Sequence, residues 1–198
     1  MNDHLWKNQV TLIGKYVRLE SLSENHARDL AIAGKDPVIW AYMLYGTPIT
    51  YESMLNWIRD LLARRDRGTE IPFAVVHLAS EKAIGATRYL DMHPDHKGLE
   101  IGGTWYAPEY QRTPVNTECK YLLLKYAFET LGCIRVQLKT DLRNIRSQVA
   151  IERLGAVKEG VLRNHMITPE GVIRDSVYYS ILDSEWLNVK KRLEDKMV

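Results

Sequence analysis

The sequence predicts an α+β fold, a single domain in which helices flank one mixed central sheet. Three observations carry that expectation. Alternating and β-branched runs are interleaved with amphipathic helical patterns in the order β, α, α, β, β, β, α, β, α, β, β, α. Three of the runs follow one another between Pro72 and Tyr106 with only short polar turns between them, as in an antiparallel meander. No repeat, low-complexity tract or linker divides the chain, so residues 1–198 read as one domain with its core at about 16–186.

The elements follow in order. Tyr16 to Leu22 alternates apolar and polar side chains, the pattern of a half-buried strand. Ser23 caps a helix from about Glu24 to Lys35, which Asp36-Pro37 ends. A short aromatic stretch, Trp40 to Tyr45, closes at Gly46-Thr47-Pro48. The second helix, roughly Tyr51 to Arg67, sets Met54, Leu55, Ile58, Leu61 and Leu62 on one face. Beyond Gly68 the strands Pro72–Leu78, Ala83–Asp91 and Leu99–Tyr106 are separated by turns at Ser80-Glu81-Lys82 and His93 to Gly98. Thr113 as N-cap and Pro114 at the first helical position start a helix that runs to Leu131, with Gly132 just past its end. Ile134 to Thr140 is a short strand, and Asp141 and Asn144 introduce a helix ending at Leu154-Gly155. Ala156–Ile167 and Ile173–Leu182 flank the turn Thr168-Pro169-Glu170-Gly171 as a hairpin, and a short helix from Ser184 closes the chain.

Composition excludes several functions. With 45% hydrophobic and 26% charged residues the chain can bury a core, and a net charge of +2 leaves no electrostatic footprint for nucleic acid. Arg64-Arg65-Asp66-Arg67 is interrupted by an acid and reads as a solvated helix end. No apolar run approaches the roughly 18 residues of a bilayer span, and the first thirty residues lack an apolar signal segment. A cytoplasmic protein with no membrane partner is therefore expected. Cys119 and Cys133 fit neither a disulfide framework nor a metal site and read as small buried hydrophobes in a reducing compartment. His93-Pro94-Asp95-His96 has no recognisable ligand spacing and reads as a polar turn, so no metal is expected. No Walker loop, dinucleotide fingerprint or Ser-His-Asp order occurs.

Two strand–loop–helix junctions could carry chemistry. At Glu100 to Lys120 a strand feeds a loop that opens a helix, which turns backbone N–H groups and a positive dipole end toward any bound anion. Thr113 and Thr117 add hydroxyls there, and Arg112 and Lys120 add charge. At the second junction Asn144, Ser147 and Ile151 share one helical face, where a carboxamide and a hydroxyl can grip an amide-bearing chain and donate a proton at its end. Taken singly, each junction reads first as an ordinary capped helix start.

Together they resemble a known family. Trp105-Tyr106-Ala107-Pro108-Glu109-Tyr110-Gln111-Arg112-Thr113-Pro114-Val115-Asn116-Thr117 looks like the acyl-CoA loop of GCN5-related N-acetyltransferases, the GNAT family. Asn144 to Gly155 resembles that family's later helix motif. Glu159 to His165 and Arg174 to Ile181 are similar to the RimJ/RimL-like branch, which modifies ribosomal-protein N-termini. The resemblance covers about Tyr16 to Trp186; no single motif is highly specific, but their order and spacing are.

The resemblance implies a sheet splayed at the cofactor site and acyl transfer from acetyl-CoA, or another acyl-CoA, to an amine. The pantetheine arm would add to the backbone edge at Thr104, Trp105 and Tyr106. The diphosphate would lie in the loop Gln111, Arg112, Thr113, Val115, Asn116 and Thr117, and Asn144 and Ser147 would complete the cofactor set. Two departures stand out. Pro114 replaces the loop's first glycine and removes one N–H, and Ile151 replaces the tyrosine many relatives use as general acid. Ser147 is then the substitute acid, and Glu100 the first candidate base, acting through water. Asp175 and His165 are alternative bases near the substrate, and Trp40, Tyr42, Tyr45 and Trp57 would wall the acceptor pocket. Direct attack in a ternary complex is expected, with no covalent acyl-enzyme. The leading acceptor is a protein N-terminal amine. A small-molecule amine or antibiotic is an alternative, and a non-catalytic acyl-CoA-binding domain is one of another class. Relatives often pair through sheet edges or helices, so a homodimer is one state open by analogy, and the sequence does not decide the oligomeric state.

Overall fold

A computed structural model describes Trp6 and residues 10–197. Eight strands form one sheet: β1 (Leu12–Ile13), β2 (Val17–Ser21), β3 (Ile71–His77), β4 (Lys82–His93), β5 (Gly98–Tyr106), β6 (Arg135–Asp141), β7 (Val157–Ile167) and β8 (Ile173–Leu182). The helices are α1 (Ala27–Ala33), α2 (Tyr51–Asp66), α3 (Pro114–Lys125), α4 (Ile145–Leu154) and α5 (Asp183–Asp195). The spatial order of the strands is β1-β2-β3-β4-β5-β6-β8-β7. Every neighbouring pair is antiparallel except β5 and β6, so the sheet is mixed, as expected.

Helices cover both faces of the central strands. All of β3 but His77 is buried, because alternate residues feed two separate cores. Phe73 and Val75 pack with Tyr89, Leu123, Leu124, Trp186 and Val189 on the α3–α5 side. Ala74 and Val76 pack with Leu30, Met54, Ile58 and Trp105 on the α1–α2 side. Glu118 ties α3 to the sheet edge. Its buried carboxylate accepts from the backbone N–H groups of Lys15, Tyr16 and Val17 at 2.6, 2.8 and 2.9 Å.

The structure adds two local features and finds Gly132 where the sequence put it. The first helix begins with a 3-10 turn over Glu24–His26, where His26 Nδ1 accepts from Ser23 N at 3.0 Å. The helix expected to reach Leu131 widens after Lys125 into a π turn over Tyr126–Thr130, which keeps Ala127 and Phe128 in the core and sets Phe128 5.3 Å from Trp186. Gly132 follows it at φ 68°, the left-handed residue that ends such a helix.

One topological feature positions the site. β5 and β6 pair only over Gly98–Glu100 against Arg135–Gln137, whereas β6 stays paired with β8 along its full length. From Ile101 onward β5 therefore has no strand on that edge among the described residues, and its backbone polar groups there are left for another partner.

Candidate active site

The parted strands open a cavity of about 760 Å³, within the range of small-molecule sites. The end of β5, the middle of β6, the start of α4, the loop at Gln111-Arg112 and the segment at 38–45 line it.

A bulge shapes the β5 wall. Trp105 faces Ala86 and Gly102 faces Arg88, so three steps on β5 oppose two on β4. Gly103 absorbs the extra residue at φ 57°; a Cβ there would lie 2.9 Å from Arg88 Cζ and 3.0 Å from Tyr45 Oη. Beside it, Thr104 Oγ1 accepts from Lys120 Nζ at 2.7 Å and meets Thr87 Oγ1 at 2.8 Å. Burial lowers the Lys120 ammonium to about 8, against the opposing pull of Cys119 and Glu100.

Glu100 is the last residue of β5 that β6 pairs, and it is only 2% exposed. The surface carboxylate that a half-buried strand would also allow is thereby replaced by a cavity-lining one. Its Oε2 accepts from Lys139 Nζ at 3.0 Å and Gln137 Nε2 at 3.3 Å. Burial raises its pKa above the ordinary carboxylate value, opposed by Lys139 and Gln137 and assisted by Asp91.

The loop and α4 meet across the mouth. Gln111 Nε2 donates to Tyr106 O at 3.1 Å, and Gln111 Oε1 accepts from Arg146 Nη1 at 2.8 Å, so one side chain joins the end of β5 to the start of α4. Arg112 is left-handed at φ 61°. Thr113 caps α3: its hydroxyl accepts from Val115 N at 3.3 Å and donates to Tyr110 O at 2.7 Å. Asn144 caps α4 by accepting from Ser147 N at 3.1 Å, and both residues line the cavity with Ile151.

Of the sequence-predicted residues, the cavity brings together Glu100, Thr104, Trp105, Tyr106, Gln111, Arg112, Asn116, Asn144, Ser147, Tyr42 and Tyr45. The others lie outside its lining. Thr113 and Val115 are used in the helix cap, and Val115 is a core residue. Thr117 is buried, its hydroxyl 3.4 Å from Arg153 Nη2. Trp40 is 3% exposed, donates to Gly34 O at 2.8 Å and packs 4.8 Å from Trp105; with Trp57 it belongs to the α1–α2 core. His165 meets Ser176 Oγ at 3.0 Å, and Asp175 accepts from Asn164 N at 2.7 Å. Their strand neighbours Met166 and Arg174 line the cavity instead, because consecutive strand residues point to opposite faces.

Sequence reasoning missed three buried or partly buried cations in the lining, Arg88, Arg174 and Lys139; Lys120, expected to add charge at the anion loop, turns inward to Thr104 instead. A basic residue inside an otherwise apolar strand, as at Arg88 and Arg174, is the signal that could have found two of them. Both cysteines are buried, and burial pushes each thiol up to about 12, so neither supplies a thiolate for a covalent route.

Comparison with known proteins gives this geometry a family. Residues 17–157 match the Acetyltransferase (GNAT) domain. A Bacillus subtilis (strain 168) protein named "Putative ribosomal N-acetyltransferase YdaF" is 36% identical over 84 residues, which is 42% of this chain and 45% of that one; the match thus spans less than half of that relative. Among solved structures, a "putative acetyltransferase" from T. thermophilus is 37% identical with a TM-score of 0.86, covering 95% of this chain and 97% of that one. A GCN5-related N-acetyltransferase from Brucella melitensis is 29% identical with a TM-score of 0.90, covering 96% and 86%. With a parallel pair that parts at Glu100 and a family match over most of its length, the chain belongs to the GNAT family and is an N-acetyltransferase of that type.

Proposed function

We propose that this enzyme moves an acetyl group from acetyl-CoA to the N-terminal amine of a protein, by direct attack with both substrates bound. The observation that supports this most is Glu100, a buried carboxylate at the point where β5 and β6 part, facing a cavity that reaches the segment at 38–45. The name of the Bacillus relative supports the choice of a protein acceptor.

Acetyl-CoA supplies an activated thioester. The unpaired edge of β5 from Ile101 onward suits an amide-bearing arm laid against it as an extra strand. Gln111, Arg112 and Asn116 line the mouth near the start of α3, and with Arg146 they offer donors and positive charge to a diphosphate. Pro114 has no N–H and the Val115 amide is taken by Thr113, so this cradle leans on side chains and on the amides of Arg112, Thr113 and Asn116. Glu100 takes the proton that the acceptor ammonium must lose, through water, and its raised pKa makes it a stronger base than a surface carboxylate. As the C–N bond forms and the C–S bond breaks, Ser147 gives a proton to the departing sulfur, the new amide nitrogen sheds its second proton to water, and the Ser147 hydroxyl is reprotonated from that water.

Free-thiol release from acetyl-CoA across N-terminal peptides, polyamines and aminoglycosides tests this. Turnover on peptides with the mass increment on the α-amine is expected. Turnover on small amines alone would replace the protein acceptor, and CoA binding without turnover on any acceptor would remove the catalytic reading.

A further inference from the structure

We propose that the inner end of the cavity is a carboxylate subsite, so that the acceptor carries an acidic group close to the amine it presents. For the N-terminal acceptor, on which this inference rests, that group is an Asp or Glu side chain at the second or third residue.

Two guanidiniums that the reaction does not use carry the argument. Arg88 and Arg174 both line the cavity and are 6% and 5% exposed. Each keeps buried N–H groups with no hydrogen bond among the described residues: Nε and Nη1 of Arg88, and Nε of Arg174. Their acids are shared and ill-aligned. Arg88 Nε lies 2.9 Å from Glu70 Oε2 but off line for a hydrogen bond, and Glu70 also meets Arg64, which reaches the exposed Asp60 as well. Asp141 is gripped by Arg143 at 2.6 Å and stands 3.9 Å from Arg174. Arg174 spends one further N–H on Tyr42 O at 3.3 Å.

Both reach the segment at 42–45: the Arg88 guanidinium stacks 5.1 Å from the Tyr45 ring, and Arg174 donates to the Tyr42 carbonyl. A Cβ on Gly102 would meet Glu100 Oε1 at 2.9 Å and one on Gly103 would meet Arg88 Cζ at 2.9 Å, so the carboxylate and that guanidinium flank adjacent residues of β5. An ammonium directed at Glu100 therefore has unfilled guanidinium donors beside it. Buried donors of this kind are costly unless a ligand fills them, and a carboxylate fills them best. A polyamine or aminoglycoside would bring more positive charge to the same place.

The experiment compares two isosteric peptides on the wild-type enzyme, Ser-Glu-Ala-Ala-Ala and Ser-Gln-Ala-Ala-Ala, with Ser-Lys-Ala-Ala-Ala and free glutamate as further arms. A kcat/KM for the Glu peptide at least about tenfold above the Gln peptide is expected, from the strength of charge-assisted hydrogen bonds. Arg174→Gln should bring that ratio toward one; Arg88→Gln should do the same if it folds, since Glu70 leans on Arg88. Equal turnover of the Glu and Gln peptides, or preference for Lys, overturns the subsite while leaving the N-terminal acceptor standing. Turnover of glutamate with neither peptide used keeps the subsite and overturns the protein acceptor. Turnover of no anionic acceptor overturns the subsite.

Discussion

Glu100→Gln is the most direct probe of the proposed proton transfer. The side chain is 2% exposed, so exchanging one carboxylate oxygen for an amide group preserves shape and removes only charge and basicity. General acid–base assistance is worth about 10²–10⁴-fold, and kcat/KM for the peptide acceptor should fall within that range at neutral pH. Loss of the partner 3.0 Å from Lys139 Nζ adds repulsion toward an incoming ammonium, which works in the same direction. The pH profile separates chemistry from damage. Burial raises the Glu100 pKa above 4.5, so wild-type activity should decline as pH falls through that raised value, and the variant should lack this limb. For stability the sign is opposite: a carboxyl whose pKa is higher folded than unfolded contributes most below its unfolded value, and that contribution is lost as pH rises through the folded one. The variant's stability should accordingly vary less across the same window. Initial rates of thiol release from pH 5 to 9 would be measured, with the melting-temperature rise on adding CoA as the control for folding. A variant within about threefold of wild type, with its acid limb intact, would remove Glu100 from the proton path.

Ser147→Ala should lower kcat by about 10²-fold or more with little change in CoA affinity, read from the same rates and from CoA titration; unchanged turnover excludes the hydroxyl as acid. CoA at a hundred times its Kd should stabilise the fold by about 2.7 kcal/mol and raise Tm by roughly 5–10 °C in a thermal scan, and no rise would sink the diphosphate cradle. Glu118→Ala strands three backbone N–H groups now bonded at 2.6–2.9 Å, for an expected loss of about 3–5 kcal/mol by urea unfolding. Gly103→Ala places a Cβ 2.9 Å from Arg88 Cζ at φ 57° on the β5 edge assigned to the CoA arm, and should raise KM severalfold for the acceptor and for acetyl-CoA alike, read from initial rates with each substrate varied.

The elements were legible where local chemistry decides them. Thr113-Pro114 starts α3 and Asn144 starts α4, as their cap preferences require, and Thr168 to Gly171 turns the final hairpin. What local pattern does not carry is which face meets the cavity. His165 and Asp175 were sensible choices on the right hairpin, yet the faces that reach the site belong to Met166 and Arg174. That one-residue difference is set by the register of β8 on β6, Asp141 against Ser176 through Arg135 against Leu182, and register is a tertiary fact. Trp40 reads as a pocket wall from its aromatic neighbours, but its indole N–H bonds Gly34 O and its ring fills the space beside Trp105. The bulge at Gly103 was equally hidden, since Gly102-Gly103 in a strand signals irregularity without saying which residue turns left-handed.

The two departures from the family pattern are better understood together than apart. Pro114 and the Thr113 cap remove two helix amides from an anion's reach, and the same mouth holds Arg112 and Arg146, with Gln111 bonding Arg146 to the carbonyl of Tyr106. Positive charge on side chains thus stands where backbone donors are fewer. Ile151 removes a phenol from α4, but Ser147 lies one helical turn earlier on the same face and lines the same cavity. On the proposed reading the proton donor is displaced by a turn, and the buried Ile151 side chain lines the wall where the phenol would stand. A hydroxyl in such surroundings interacts more strongly with a developing thiolate than it would in water. On the proposed reading both substitutions keep the chemistry within the parted strands and change only which side chains deliver it.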